Sequence, residues 1–336
     1  QTADAMSTEV IDVFFPLTSA ILRTRSPDTF TRYFPPDLQR QCARPTYEIP
    51  IGLEGRHVTY ILWPALAPVV TAGIAIGLYG YFQLTQRRWN RPPTPSWSLA
   101  MCFYALMNTA ALGSHCLVPR SSPWQPPLVS LDIAATACAA FSALYACVSD
   151  ELSGGLRAGS PDTAGSGGRK KHLINLLFWN GLLIILAFVG LHIPFMAELL
   201  YIGTSVVSAI VVGTYIRRRR VVGRQRLWRR LVFAGAALAF SGIPLDATLC
   251  RRLGPHVNHV TLLFAGCHVI MLSLFLYVRE KLMLGDDALA AAVAAATGGD
   301  GSTEQRAADG ALEAAAAAAG VGPPVGVGLQ RRQKRQ

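Results

Sequence analysis

Long apolar stretches alternating with short polar connections dominate the chain, and seven of them approach the length needed to cross a bilayer. They run from about Val58 to Leu84, Trp97 to Val118, Leu128 to Val148, Leu173 to Leu191, Phe195 to Ile216, Trp228 to Leu245 and Val257 to Val278. About 20 apolar residues, rising 1.5 Å each as a helix, cover roughly 30 Å of hydrocarbon. Inside that hydrocarbon every backbone polar group must find its partner within the protein, so each stretch is expected to be a helix. The pattern therefore predicts an all-α, polytopic membrane helix bundle of about seven transmembrane helices, with no role for sheet in the spans. Helices of a soluble core are amphipathic, whereas these stretches carry almost no charge on any face.

Composition agrees with the pattern. Only 15% of the 336 residues are charged, against about 25% in an ordinary soluble domain, and the mean hydropathy is +0.32. A typical soluble enzyme and a disordered chain are both excluded on that ground. The +11 net charge is unevenly placed. Arg87, Arg88 and Arg91 follow the first span, and Arg157, Arg169, Lys170 and Lys171 follow the third. Arg217, Arg218, Arg219, Arg220, Arg224, Arg226, Arg229 and Arg230 follow the fifth, and Arg279 and Lys281 follow the seventh. The alternate connections hold only Arg120, Arg251 and Arg252. Basic residues gather on the cytoplasmic side of short loops, so residues 1–57 are expected to be an extracytoplasmic segment, 58–278 the transmembrane domain and 279–336 a low-complexity cytoplasmic tail. The six arginines of the leading segment are discounted, because long translocated segments follow their charge weakly.

Other features refine the organisation. The chain begins with Gln1, so a cleaved signal peptide or a preceding span is expected to have carried the leading segment across. Val10 to Leu22 is too short to span and contains Asp12 and Pro16. Pro64 and Pro68 are expected to kink the first span. Gly73 and Gly77 form a GxxxG pair, and Ser205, Ala209 and Gly213 repeat small residues every four positions, a pattern expected to pack helices inside the bundle. Tyr60, Trp97, Trp124, Tyr201, Trp228 and Tyr277 fall near span ends, where amphipathic rings favour the headgroup layer. Asp150 to Gly168 reads as a flexible linker and the Ala-rich tail as low complexity. The arginine cluster after the fifth span, set directly against two spans, is expected to meet anionic lipid headgroups through Arg217, Arg218, Arg219 and Arg220, and no nucleic acid. Cys42, Cys116 and Cys250 fall on the extracytoplasmic side, which permits one disulfide with one thiol left over, and no zinc-type cysteine spacing occurs.

Ionisable residues near spans are the default place to look for function. His115 ends the second span, Asp132 opens the third, His192 and Glu198 lie at the fourth-to-fifth turn, Asp246 ends the sixth, and His256 and His259 open the seventh. All are expected on the extracytoplasmic side, in one polar layer. Three readings stand: structural polar residues at the interface, ligand recognition, or a metal site. In the last, His115, His256 and His259 would be ligands, zinc the metal, and Asp132 a ligand or general base. His256 and His259 are three apart and share a helix face. His268 lies about 18 Å deeper than His256 and rotated away, so it is expected to stay outside any such set.

The stretches LVSLDIAATACAAFSALYACVS around Asp132 and GLHIPFMAELLYIGTSVVSAIVVGT with His192, together with Asp246 followed by His256 and His268, resemble the transmembrane protein 187 family over about two thirds of the chain. That resemblance implies a multi-pass membrane architecture and no particular activity. The order of Ser114 and His115, then Asp132, then His256 and His259 is similar to the seven-span alkaline ceramidase and adiponectin-receptor-like metal hydrolases. Their Ser-x-x-x-His and His-x-x-x-His spacings differ from those here, and the resemblance implies a zinc-dependent hydrolase of a lipid amide or ester. The seven-span plan is also similar to G-protein-coupled receptors, but the third span ends ACVSDEL and the seventh has no Asn-Pro-x-x-Tyr. On balance the sequence predicts a non-enzymatic multi-pass protein whose extracytoplasmic polar layer binds a lipid-like ligand or an ion. The hydrolase is the alternative and the receptor the third reading.

Overall fold

The computed structural model describes residues 16–28, 47–49, 59–61, 65–86, 94–118, 122–156, 166–190, 193, 195–219, 224–253 and 259–297. In chain order these form α1 (Pro16–Arg25), β1 (Tyr47–Ile49), β2 (Thr59–Ile61), α2 (Leu66–Thr85), α3 (Thr94–Ala111), α4 (Gln125–Leu156), α5 (Ser166–Gly190), α6 (Met196–Arg218), α7 (Gln225–Leu253) and α8 (His259–Thr297). Two helices change pitch. α3 continues as a wider π turn over Leu112–Leu117, and α6 contains one at Leu199–Gly203.

Apart from the β1–β2 ladder, the described residues form a helical membrane bundle. Leu66–Thr85, Gln125–Glu151, Lys171–Gly190, Met196–Arg218 and His259–Met283 are each long and apolar enough to cross a bilayer. α3 and α7 occupy the positions of the other two expected spans and are not among these five. α7 brings Arg226, Arg229 and Arg230 into its first turns and Arg251 and Arg252 into its last, which dilutes its apolar character.

α4 lies at the middle of the packing, against α3, α5 and α6, while α2 bridges α3 and α8, and α7 lies along α8. Polar side chains stitch the apolar surfaces together. Asn180 of α5 donates to Ser142 Oγ of α4 at 3.2 Å, and Ser208 of α6 donates to the Ala140 carbonyl at 2.7 Å. Such bonds tie helices where no water competes for the donors. Glycines set the closest approaches. A β-carbon on Gly77 would sit 2.6 Å from the Ala105 nitrogen, and one on Gly266 would sit 2.5 Å from the Ala239 nitrogen. The GxxxG pair of α2 thus packs within the bundle, against α3.

Several elements differ from the sequence expectation, each for a local reason. The first helix starts at Leu66, eight residues late. Pro68 therefore occupies its first turn, where a missing N–H costs nothing, and Pro64 lies outside the described residues. Thr59 to Ile61, assigned to the first span, pairs instead with β1 in an antiparallel ladder that sets Glu48 opposite Tyr60. α4 continues to Leu156 and α5 begins at Ser166, so helix occupies both ends of the expected linker. α8 runs on to Thr297 through the first Ala-rich run, alanine being the strongest helix former. Trp97 and Tyr277 are buried in the core rather than lying in a headgroup belt, whereas Trp124 is exposed.

Candidate functional site

The polar layer forms at the end of the bundle where α2, α4, α6 and α8 begin. The π turn after α3 swings Ser114 and His115 toward the first turns of α4. Gln125 fastens the join by donating from Nε2 to the Ser114 carbonyl at 2.9 Å, and Gly113 lets Leu128 pack against the turn. His115 Nε2 consequently lies 3.7 Å from Asp132 Oδ2. The two side chains are 20% and 13% exposed, so the pair is sheltered yet reachable. The ring of Phe264 from α8 stands edge-on to His115, with centroids 6.5 Å apart. Glu198, at the start of α6, is buried at the same end.

At this end of the bundle several buried polar atoms lack a hydrogen-bond partner among the described residues: Ser114 Oγ, Gln125 Oε1 and Ser130 Oγ. An unsatisfied buried hydroxyl or amide costs about 1–3 kcal/mol, and native structures carry few of them. These three fall on the last turn after α3 and the first two turns of α4. The backbone is also irregular here. Both π turns lie at this end, and Phe195, leading into α6, is the one non-glycine residue with positive φ (73°) among the described residues. Wider turns and strained residues concentrate at functional sites.

The structure thus brings together two of the four residues singled out for metal chemistry. His115 and Asp132 meet, and His259 has a buried Nδ1 at the start of α8. No three His, Cys, Asp or Glu side chains among the described residues form a group able to hold a metal. A catalytic zinc takes three protein ligands, and His115 with Asp132 makes two candidates. His256 and His192 lie outside the described residues, as does the side chain of Asp246. Cys116 is buried, and Cys42 and the Cys250 side chain lie outside the described residues.

A second polar cluster lies deeper, and sequence reasoning missed it. His268 of α8 donates from Nε2 to the Val69 carbonyl of α2 at 2.7 Å and meets the Tyr104 hydroxyl of α3 through Nδ1. Because a carbonyl only accepts, Nε2 must carry a proton, and neutral Nδ1 is left to accept from Tyr104. Asn108, fully buried, donates to the Tyr104 carbonyl at 2.8 Å, and its Oδ1 has no partner among the described residues. Phe264 lies between the two clusters, edge-on to His115 and to His268. The available signal was a lone Asn and a lone His in apolar spans.

At the opposite end, one carboxylate gathers three helices. Asp150 Oδ2 of α4 accepts from Lys281 Nζ of α8 at 2.6 Å, Tyr215 Oη of α6 at 2.5 Å and Arg219 Nη2 at 3.2 Å. Arg219 thereby turns inward, whereas Arg217 and Arg218 are exposed; Arg220 lies outside the described residues.

Comparison with protein-family models, curated proteins and solved structures gives no match for this chain.

Proposed function

We propose that this multi-pass membrane protein, with seven spans and the polar layer on the extracytoplasmic side, binds the polar headgroup of a lipid-like ligand between α3 and α4. The observation that carries the reading is the sheltered His115–Asp132 pair, 3.7 Å apart. An imidazole beside a carboxylate offers a donor and an acceptor to a headgroup hydroxyl or amide. A hydrophobic tail would rest on the lipid-facing surface of the neighbouring helices. The test replaces both members of the pair by leucine. Apolar replacement of a sheltered ion pair is frequently neutral or stabilising, so the fold survives. Native mass spectrometry of the purified protein should show a retained lipid that the His115→Leu, Asp132→Leu protein has lost. Equal retention by both proteins contradicts the proposal.

A second reading is favoured by the same pairing. His115 and Asp132 come from consecutive spans in the order of the metal hydrolases the sequence resembles. Zinc bound there would acidify a water able to attack a lipid amide or ester. About one zinc per chain, lost in a His256→Ala, His259→Ala protein, would establish it. A folded preparation without zinc would remove it.

A further inference from the structure

We infer that the arginine-rich end of the crevice between α6 and α7 is a binding site for an anionic phospholipid, with the phosphate held between Arg217 and Arg230 and an acyl chain lying over Gly213 and Phe233. This inference is independent of the polar layer at the other end.

The two helices follow each other in the chain yet pack little on one another, since α7 is held mainly by α8. They touch where Gly213 faces Phe233: a β-carbon on the glycine would come to 3.9 Å from that ring. α6 runs toward the arginine-rich end and α7 runs away from it. Arg217, four residues after Gly213, and Arg230, three before Phe233, therefore both stand about one helical turn beyond that contact, one on each lip. Both are exposed, as is Arg226 one turn further along α7, and none forms an ion pair with a described residue. Of the acids at this end, Asp150 takes Arg219 and Lys281, and Glu280 accepts from Trp228 Nε1 at 3.0 Å.

Electrostatics demands an anion here. The first turn of α7 contains no acidic residue and carries Arg226, so cations crowd the positive end of a helix dipole. Below the arginines the walls turn apolar: Phe233 and Ile210, on the crevice stripes of their helices, are 45% and 62% exposed. A basic rim above an apolar interhelical groove matches a phosphate joined to acyl chains, and basic pockets between spans are known to take such headgroups. A soluble anion would leave the apolar walls unused.

The test uses the full chain in nanodiscs of phosphatidylcholine alone or with phosphatidylserine, reading retained anionic lipid by native mass spectrometry after mild detergent extraction. At roughly 1 kcal/mol per basic residue, an Arg217→Gln, Arg230→Gln protein should hold the anionic lipid about thirtyfold more weakly. An Arg87→Gln, Arg88→Gln protein, with the same charge loss at another loop, should match the wild type. Gly213→Leu keeps every charge and fills the crevice, and should also lose the lipid. Retention unchanged by both crevice variants, or lost equally in the control, overturns the inference.

Discussion

His268 reaches the carbonyl of Val69 across the empty face of Gly73. The imidazole Nε2 lies 2.7 Å from that oxygen, and a β-carbon on Gly73 would fall 2.4 Å from His268 Cε1 and 2.3 Å from Asn108 Oδ1. The glycine uncovers a backbone acceptor that its own helix would ordinarily screen. Three helices, α2, α3 and α8, are joined there by Tyr104, Asn108 and His268.

Gly73→Ala should accordingly destabilise the bundle by about 1–3 kcal/mol, the usual cost of overpacking a filled interior. Gly181 of α5 is the built-in control, because nothing approaches its β-position within 4 Å. Gly181→Ala should be neutral or slightly stabilising, since alanine favours helix. Thermal unfolding of the two proteins in one detergent checks both. Equal melting temperatures would contradict the role given to Gly73.

Gly266→Ala should loosen α7 specifically. The added methyl would lie 2.5 Å from the Ala239 nitrogen and 2.6 Å from the Gly235 carbonyl oxygen. Backbone atoms of a helix cannot yield as a side chain does, so the two helices must move apart. Because α7 depends chiefly on α8, proteolysis between Arg218 and Arg224 should accelerate. The connection between α3 and α4 should keep its wild-type cleavage rate.

Asp150 and Lys281 should behave as a coupled pair. Asp150→Asn leaves two cations, Lys281 and Arg219, facing a neutral amide and should cost about 1–3 kcal/mol, less than the 3–5 kcal/mol of a fully buried pair because both partners are partly exposed. Lys281→Met leaves Arg219 on the carboxylate and should cost less. The double variant should destabilise by less than the sum of the two, and a thermal-unfolding cycle measures that difference. Strict additivity would show that the two groups do not stabilise each other.

The five long apolar helices were legible in the sequence because the bilayer demands long charge-poor stretches, and Asp132 and His115 drew attention because charge near such a stretch is costly. What escaped was set by features that carry no hydropathy. Whether Trp97 and Tyr277 face headgroups or the core depends on which way each helix is turned, and both are buried. α8 passes Val278 without a break because alanine extends helix as readily in a tail as in a span. The partner of His268 is a main-chain oxygen, which every residue possesses, so only the glycine beside it hinted at the contact. Arg219 was indistinguishable from its neighbours until α6 ended and its guanidinium reached Asp150.

The proposed arrangement sets the polar layer around His115 and Asp132 and the arginine-rich rim around Arg217 and Arg230 on opposite sides of a membrane. α4 separates them: its Gln125–Glu151 segment has 27 residues, about 40 Å of helix. The direct test is labelling of single cysteines at Ser122 and at Arg224, in a cysteine-free background, by a membrane-impermeant maleimide on intact cells or sealed vesicles. Ser122→Cys and Arg224→Cys should label from opposite faces, the first from the extracytoplasmic side and the second only after permeabilisation. Labelling of both from the same face would contradict the arrangement.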